Sequence, residues 1–281
     1  MASSTALAVP IVTDWSYSLD STFTTAIFTT GTGNKIISGD ELSWGATGGD
    51  FQSPVTDFTK NRSALTIGNG TGTPTLTGGG PATGSVKTVL DGAPPELAAG
   101  EIGIGTNMTH WNNPISSSFA TLESGILRDT LTLTATAPNA GAAYDLPVIN
   151  FDFRFAETPN GGTCAGGTAN PCGDIWGIFA VPTLDISFIY DTNQYFGSIL
   201  VLGAGGSASP IDTLLDAQCD AVGYSSGCQG FLTAESAATT VQFAFAVSSE
   251  PLYVPEPATL ALMGLGLAGI GFRRQRSKKT A

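Results

Sequence analysis

The chain is poor in the residues that most often carry chemistry. It has 281 residues, but a single histidine and four cysteines, and only 12% of its residues are charged. No two cysteines stand in the C-x-x-C spacing of zinc and redox sites, and one histidine cannot complete a zinc site without them. We therefore predict no catalytic residue, no metal site and no cofactor.

Basic residues are scarce in most of the chain. Residues 1–272 contain six Lys or Arg and 23 Asp or Glu, a net charge of −17. Such a body would be repelled by phosphate backbones, which excludes nucleic acid as a partner. The same charge keeps a surface solvated and attracts cations or cationic polymers.

Glycine, serine and threonine are abundant, and they accompany short segments of alternating polarity. Residues 148–155 place three phenylalanines on one face and Asp152 and Arg154 on the other, as a half-buried strand requires. Low charge with many turn residues favours a mainly β protein. We predict an antiparallel β-sandwich or jelly roll over residues 15–247. Its strands are expected at 15–19, 41–44, 63–67, 85–90, 125–135, 148–155, 175–181, 184–190, 194–202 and 241–247, with a short helix at 210–218.

The two ends of this domain differ from its body. Residues 1–14 lack the basic and apolar regions of a complete signal peptide, although Ala6-Leu7-Ala8 has the small-x-small form of a cleavage site. We expect them to be a signal remnant or disordered segment, with the natural start further upstream. Residues 248–254 are predicted to be a short tether.

The four cysteines form two pairs that are close in sequence. Three connectivities are open, and the most economical one closes two local loops, Cys164–Cys172 and Cys219–Cys228. Disulfides of this kind imply an oxidising compartment.

Two motifs suggest chemistry that their context does not support. Gly223–Gly227 matches the G-x-S-x-G nucleophile elbow, which needs a preceding strand, a following helix and a later histidine. Here the only histidine precedes the serine, so a turn closed by a disulfide is favoured over a hydrolase. Asp191 and nearby acidic residues could bind calcium, but no EF-hand loop or calcium-binding repeat surrounds them.

The histidine lies in Thr109-His110-Trp111-Asn112, shortly before Pro114. Short polar side chains before a proline favour a structural corner with satisfied hydrogen bonds. A ligand or metal contact is the alternative. Exposed tryptophans are a further candidate feature, because Trp44, Trp111 or Trp176 could stack on sugar rings.

The C-terminus has three distinct parts: Val254-Pro255-Glu256-Pro257, an uncharged span at 258–272, and a basic end. The span would form a helix of about 22 Å, short for a hydrocarbon core of about 30 Å. Its glycines permit close packing against a partner. The positive-inside rule keeps the basic tail at 273–279 cytoplasmic and the body outside. The basic residues are Arg273, Arg274, Arg276, Lys278 and Lys279.

These three parts, in this order, resemble a PEP-CTERM sorting signal at residues 254–279. The resemblance implies recognition by an exosortase, a membrane-embedded transpeptidase of Gram-negative bacteria that make extracellular polysaccharide. The chain would cross the inner membrane, remain anchored in it through a transient helix, and be cut near Pro255-Glu256-Pro257. Its final location would be the cell surface or the extracellular space.

The body resembles the THxN subgroup of PEP-CTERM proteins through Thr109, His110, Trp111 and Asn112. A second similar stretch is Gly230–Glu235, which follows the second cysteine pair. We expect a non-enzymatic surface or matrix protein associated with exopolysaccharide or biofilm. The alternative is a secreted carbohydrate-binding module that uses exposed aromatic side chains.

Overall fold

The computed structural model describes residues 9–69, 80–160, 163–165, 172–179 and 185–252, and within them the chain is mainly β. Within these ranges, short 3-10 helices occur at Phe58–Lys60 and Ala204–Gly206, and an α-helix, α1, at Asp216–Ala221. The strands are β1 (Asp14–Phe28), β2 (Asn34–Ile37), β3 (Glu41–Gly45), β4 (Arg62–Gly68), β5 (Ala82–Val89), β6 (Ile102–Asn112), β7 (Leu122–Ala137), β8 (Ala143–Asp145), β9 (Ile149–Ala156), β10 (Asp174–Ile178), β11 (Ile186–Tyr190), β12 (Asn193–Gly203), β13 (Asp212–Thr213), β14 (Gln229–Thr233) and β15 (Ala237–Ser248).

The strands join in one sheet whose path does not close. Its order is β13-β14-β10-β9-β7-β1-β5-β15-β6-β4-β3-β2, with β8 beside β7 and the β11–β12 hairpin beside β15. Neighbouring named strands pair antiparallel except β5 and β15, whose Val89 and Ser248 lie opposite each other in a short parallel ladder. The mainly β class predicted from the sequence is confirmed, in the form of this continuous sheet.

Aromatic side chains bring distant parts of the sheet together. Trp44 of β3 meets Phe155 of β9 with ring centroids 5.1 Å apart, although these strands are not neighbours in the sheet. Phe151 of β9 likewise lies 5.7 Å from Phe243 of β15. Burying a large apolar side chain is worth about 1.5–3 kcal/mol, so these inward rings are a main source of stability. The inward face of β9 is the one that its alternating sequence predicts.

Strand β6 depends on glycine, and its sequence pattern did not predict a strand. A Cβ atom on Gly103 would lie 2.5 Å from the Phe245 ring, and one on Gly105 would lie 2.7 Å from the Phe243 carbonyl oxygen. Both phenylalanines belong to β15, which pairs with β6. Glycines usually weaken a strand, but here they allow a neighbouring strand and its rings to approach closely.

The helix also differs from its expected bounds. The predicted helix at 210–218 is replaced by β13 followed by α1, which begins at Asp216. Leu215 caps the start of α1 and donates its backbone N–H to Gln218 Oε1. At the amino end, buried Val12 donates its N–H to the Tyr195 hydroxyl. In the described part of the chain, no helix is long and apolar enough to span a membrane. The helix predicted at 258–272 lies outside the described residues.

Candidate functional site

The Thr109–Asn112 segment is the end of strand β6, between β4 and β15. The structural corner predicted there is wrong, because these residues pair with strands on both sides. His110 and Asn112 are fully buried, and the Thr109 hydroxyl lies 2.9 Å from that of Thr240. Trp111 is half-buried and donates its indole N–H to the Thr66 hydroxyl at 3.0 Å.

His110 is enclosed by aromatic rings. Its imidazole is nearly parallel to the Trp44 ring, with centroids 6.4 Å apart, and meets the Phe155 ring edge-on at 5.0 Å. Among the described residues, neither of its ring nitrogens has a hydrogen-bond partner, since Nε2 lies 3.7 Å from Asp174 Oδ2. Burial lowers the pKa of His110 to about 3, so the ring is neutral at physiological pH.

Three carboxyl groups close to this histidine form what we call the buried acidic cluster: Glu157, Asp174 and Glu235. Asp174 Oδ1 accepts the Thr158 N–H at 2.8 Å, and Glu157 Oε2 accepts the Trp44 indole N–H at 2.8 Å. Burial, followed by repulsion from Glu157, raises the pKa of Asp174 well above its usual value. Burial also raises the pKa of Glu157, and that of Glu235 to about 7.

No cation neutralises this cluster within the described ranges. The one ion pair of a Lys or Arg there joins Lys60 to Asp57, on the surface. No three His, Cys, Asp or Glu side chains of these ranges are placed to hold a metal ion. Ionised carboxyl groups are costly to bury unpaired. The carboxyl groups of the cluster therefore tend to bind protons near neutral pH rather than carry a charge. Burial favours the protonated form of these carboxyl groups and the neutral form of the His110 imidazole.

Two stretches singled out in the sequence meet at this cluster. The Asn112 side-chain amide donates to the carbonyl oxygen of Thr233 at 2.7 Å, and the His110 and Phe231 rings are 6.5 Å apart. Thr233 is in turn the β-sheet partner of Asp174. The segments 109–112 and 230–235 therefore meet in the fold, although more than a hundred residues separate them in the chain.

The predicted sugar platform of exposed tryptophans is not present. Trp44 and Trp176 are at most 1% exposed, and they lie in the core with Phe153 and Phe155. Only Trp111 of the three candidates reaches the surface, where its ring packs 5.9 Å from Phe51. The tryptophans therefore contribute to stability rather than form an exposed row for stacking.

A different surface feature, which no motif in the sequence predicted, is a cleft of about 930 Å³ on the outward face of β1, β7 and β9. We call it the outer cleft, and its main residues are Ile27, Ile126, Asp152, Arg154, Phe179 and Tyr224. The sequence predicted that Asp152 and Arg154 point outward. It gave no such indication for Phe179, which was expected inside a strand but follows the end of β10 at Ile178.

The outer cleft adjoins the buried acidic cluster through Glu157. This residue follows β9 and is half-buried, so it lines the cleft while its carboxyl group faces Trp44. Glu123 also lines the cleft from β7. The opposite wall comes from the segment after α1, where Tyr224 lies beneath the Arg154 guanidinium, 5.7 Å from its ring centre.

Both local disulfides are present, so the most economical pairing is confirmed. Cys219 and Cys228 are fully buried with Leu214 and Val222, and Cys164 is bonded to Cys172. The G-x-S-x-G sequence lies inside the Cys219–Cys228 loop, where helix α1 precedes Ser225. A nucleophile elbow has its helix after the serine.

The chain's C-terminus matches a known sorting signal. Residues 254–276 match the PEP-CTERM protein-sorting motif. The match covers Val254-Pro255-Glu256-Pro257 and the arginines at 273, 274 and 276, all of which lie outside the described residues. It supports an exported, exosortase-sorted protein that is anchored in the membrane before processing and contacts the exosortase transiently. A search of curated proteins found no match to the chain.

Proposed function

We propose that this protein is a non-enzymatic surface or matrix protein of a Gram-negative bacterium, released by an exosortase and associated with exopolysaccharide or biofilm. The observation that carries the proposal is the sorting motif at residues 254–276. The two disulfides agree with it, since such bonds persist in oxidising compartments outside the cytoplasm.

We propose further that the body is a β-sandwich of the THxN subgroup. Contacts between β9 and the non-adjacent strands β3 and β15 support two facing layers. The subgroup assignment is supported by the meeting of segments 109–112 and 230–235 at the buried acidic cluster.

The absence of catalysis is part of the same proposal. His110 is neutral, buried and 3.7 Å from the nearest carboxylate oxygen, so it is poorly placed to serve as a general base for a surface substrate. Ser225 lies in a disulfide loop after a helix. These features support a body without a histidine- or serine-based catalytic site.

Mass spectrometry of the mature C-terminus tests the sorting proposal. In a producing strain we expect a chain that ends near residue 257, and in the same strain without its exosortase a chain that extends to Ala281. Replacing Pro255, Glu256 and Pro257 with alanine should prevent cleavage, whereas Pro251→Ala, just outside the motif, should not. An intact tail in both strains would overturn exosortase processing.

A secreted carbohydrate-binding module remains a second candidate function. Two of the three tryptophans that first suggested it, Trp44 and Trp176, are buried, but the outer cleft offers other aromatic side chains beside charged and hydroxyl groups. This candidate differs from the first in requiring direct glycan binding by the body itself.

A further inference from the structure

The outer cleft has the size of a ligand site. Its volume of about 930 Å³ falls in the range of about 300–1,000 Å³ typical of small-molecule pockets. Its floor is a section of the sheet in which Ile126 of β7 lies between Thr25 of β1 and Asp152 of β9, and the β1–β7 register shifts on either side of this point. Side chains that project from paired strands are held more rigidly than those on loops, which suits a preformed site.

One wall of the outer cleft exposes an aromatic side chain to water. Phe179 is 67% exposed, and its ring centre lies 6.1 Å from that of Tyr224. The remaining large aromatics of the neighbouring strands β9 and β10, Trp176 among them, are buried in the core. An exposed ring beside hydroxyl and charged groups offers an apolar surface to a partner that has both apolar and polar faces, as a pyranose ring does.

The charge of the outer cleft decides which glycans it suits. Glu123 and Asp152 bring two carboxyl groups, against the single guanidinium of Arg154. Glu157 also lines the cleft, but its carboxyl group is buried against Trp44, and burial raises its pKa. Residues 1–272 carry a net charge of −17, which adds to the repulsion of anionic polymers. The complementary ligand is a sugar chain with positive groups.

We propose that the outer cleft binds a glycan segment that contains amino sugars. The sugar rings pack on Phe179 and Tyr224, and their ammonium groups pair with Asp152 and Glu123. Ser124, which lies opposite Arg154 in the β7–β9 ladder, supplies a hydroxyl for the sugar oxygens. The inference rests on the second candidate function above and assigns it a site and a ligand class.

Isothermal titration of the full chain in detergent with soluble oligosaccharides tests this assignment. Oligomers of glucosamine should bind. Their fully N-acetylated forms should bind with an affinity that is lower by about tenfold or more, and oligomers of uronic acid should not bind. Oligolysine serves as a probe for basic peptides. Tighter binding of oligolysine than of glucosamine oligomers would overturn the proposal in favour of a basic peptide.

Three variants locate the site. Phe179→Ala should weaken glucosamine binding by about tenfold or more. Asp152→Asn should weaken binding of the glucosamine form while leaving the weaker binding of the N-acetylated form unchanged. Ile189→Ala is the matched control, because Ile189 is also 67% exposed but lies on β11, outside the cleft. It should bind like the unmodified chain, and thermal unfolding of each variant verifies its fold.

The outcomes separate this inference from the sorting proposal. No binding of glucosamine oligomers, or binding that Phe179→Ala and Asp152→Asn leave unchanged in folded protein, overturns the cleft assignment. C-terminal processing of Phe179→Ala in the producing strain is a separate measurement and should be normal. Processing without glycan binding removes the cleft alone, whereas glycan binding without processing removes the exosortase proposal alone.

Discussion

Asp129 gives the most direct quantitative test of the electrostatics of the core. It lies in β7 opposite Ser21 of β1 and is 4% exposed, and among the described residues its Oδ1 atom has no hydrogen-bond partner. Burial raises its pKa from 3.8 to about 7, opposed by a hydrogen bond from Ser21 and assisted by the negative charge of Asp20. The folded state therefore prefers the protonated acid.

The direction of the pH dependence follows from this raised pKa. The stabilisation from a protonated Asp129 is fully present below the unfolded value and is lost as the pH rises through about 7. From about pH 5 to about pH 8 the loss is roughly 3 kcal/mol, at about 1.4 kcal/mol for each pH unit between the two pKa values. Asp129→Asn removes the titration while keeping the shape of the side chain.

The assay is urea unfolding followed by tryptophan fluorescence at both pH values. The free energy of unfolding of Asp129→Asn, relative to the unmodified chain, should be higher by roughly 3 kcal/mol at about pH 8 than at about pH 5. Asp220→Asn is the control, because Asp220 is exposed, and its relative stability should change little between the two. An equal effect of Asp129→Asn at both pH values would refute the raised pKa.

Three further perturbations follow from the same structure. Asp174→Asn in the buried acidic cluster should also stabilise the protein more at about pH 8 than at about pH 5, measured by the same unfolding experiment, because the pKa of Asp174 is raised. Replacing Cys219 and Cys228 with serine should lower the free energy of unfolding by about 3 kcal/mol, since their sequence separation is 9. An unchanged free energy of unfolding in this double variant, measured under oxidising conditions, would contradict the bond. Trp44→Phe should lower the free energy of unfolding in urea by about 1–3 kcal/mol, because it removes the indole N–H that Trp44 donates to Glu157. Trp111→Phe should lower it by less, because the Trp111 indole makes its hydrogen bond at the half-buried surface.

Local pattern was sufficient to predict the parts of the fold that depend on alternation. Residues 148–155 were predicted as a strand with inward phenylalanines, and β9 runs from Ile149 to Ala156 with Phe151, Phe153 and Phe155 buried. The period of two in a half-buried strand depends only on which face meets the core. The two disulfides were predictable for a related reason, because each closes a short loop.

Strand β6 and the buried acidic cluster could not be predicted because their stability comes from distant partners. The glycines of β6 suggest a turn when they are considered alone, and only the rings of β15 explain them. Glu157, Asp174 and Glu235 stand on three different segments, so no spacing in the sequence indicates that their carboxyl groups interact. The outer cleft has the same origin, since Phe179 and Tyr224 approach each other only after the sheet forms.

The position of His110 distinguishes the role of the buried Thr109–Asn112 segment from that of the solvent-accessible outer cleft. A side chain that is fully buried, neutral and packed against Trp44 and Phe155 acts on partners only through the stability of the sheet. The Thr109–Asn112 segment is therefore expected to specify the fold rather than to recognise a ligand. Recognition requires groups that solvent can reach, and near this segment Glu157 is the acid that both belongs to the buried cluster and lines the outer cleft. A change at His110 should therefore alter glycan binding only as far as it shifts Glu157 or unfolds the sheet, whereas a change at Phe179 should alter binding and leave stability nearly unchanged.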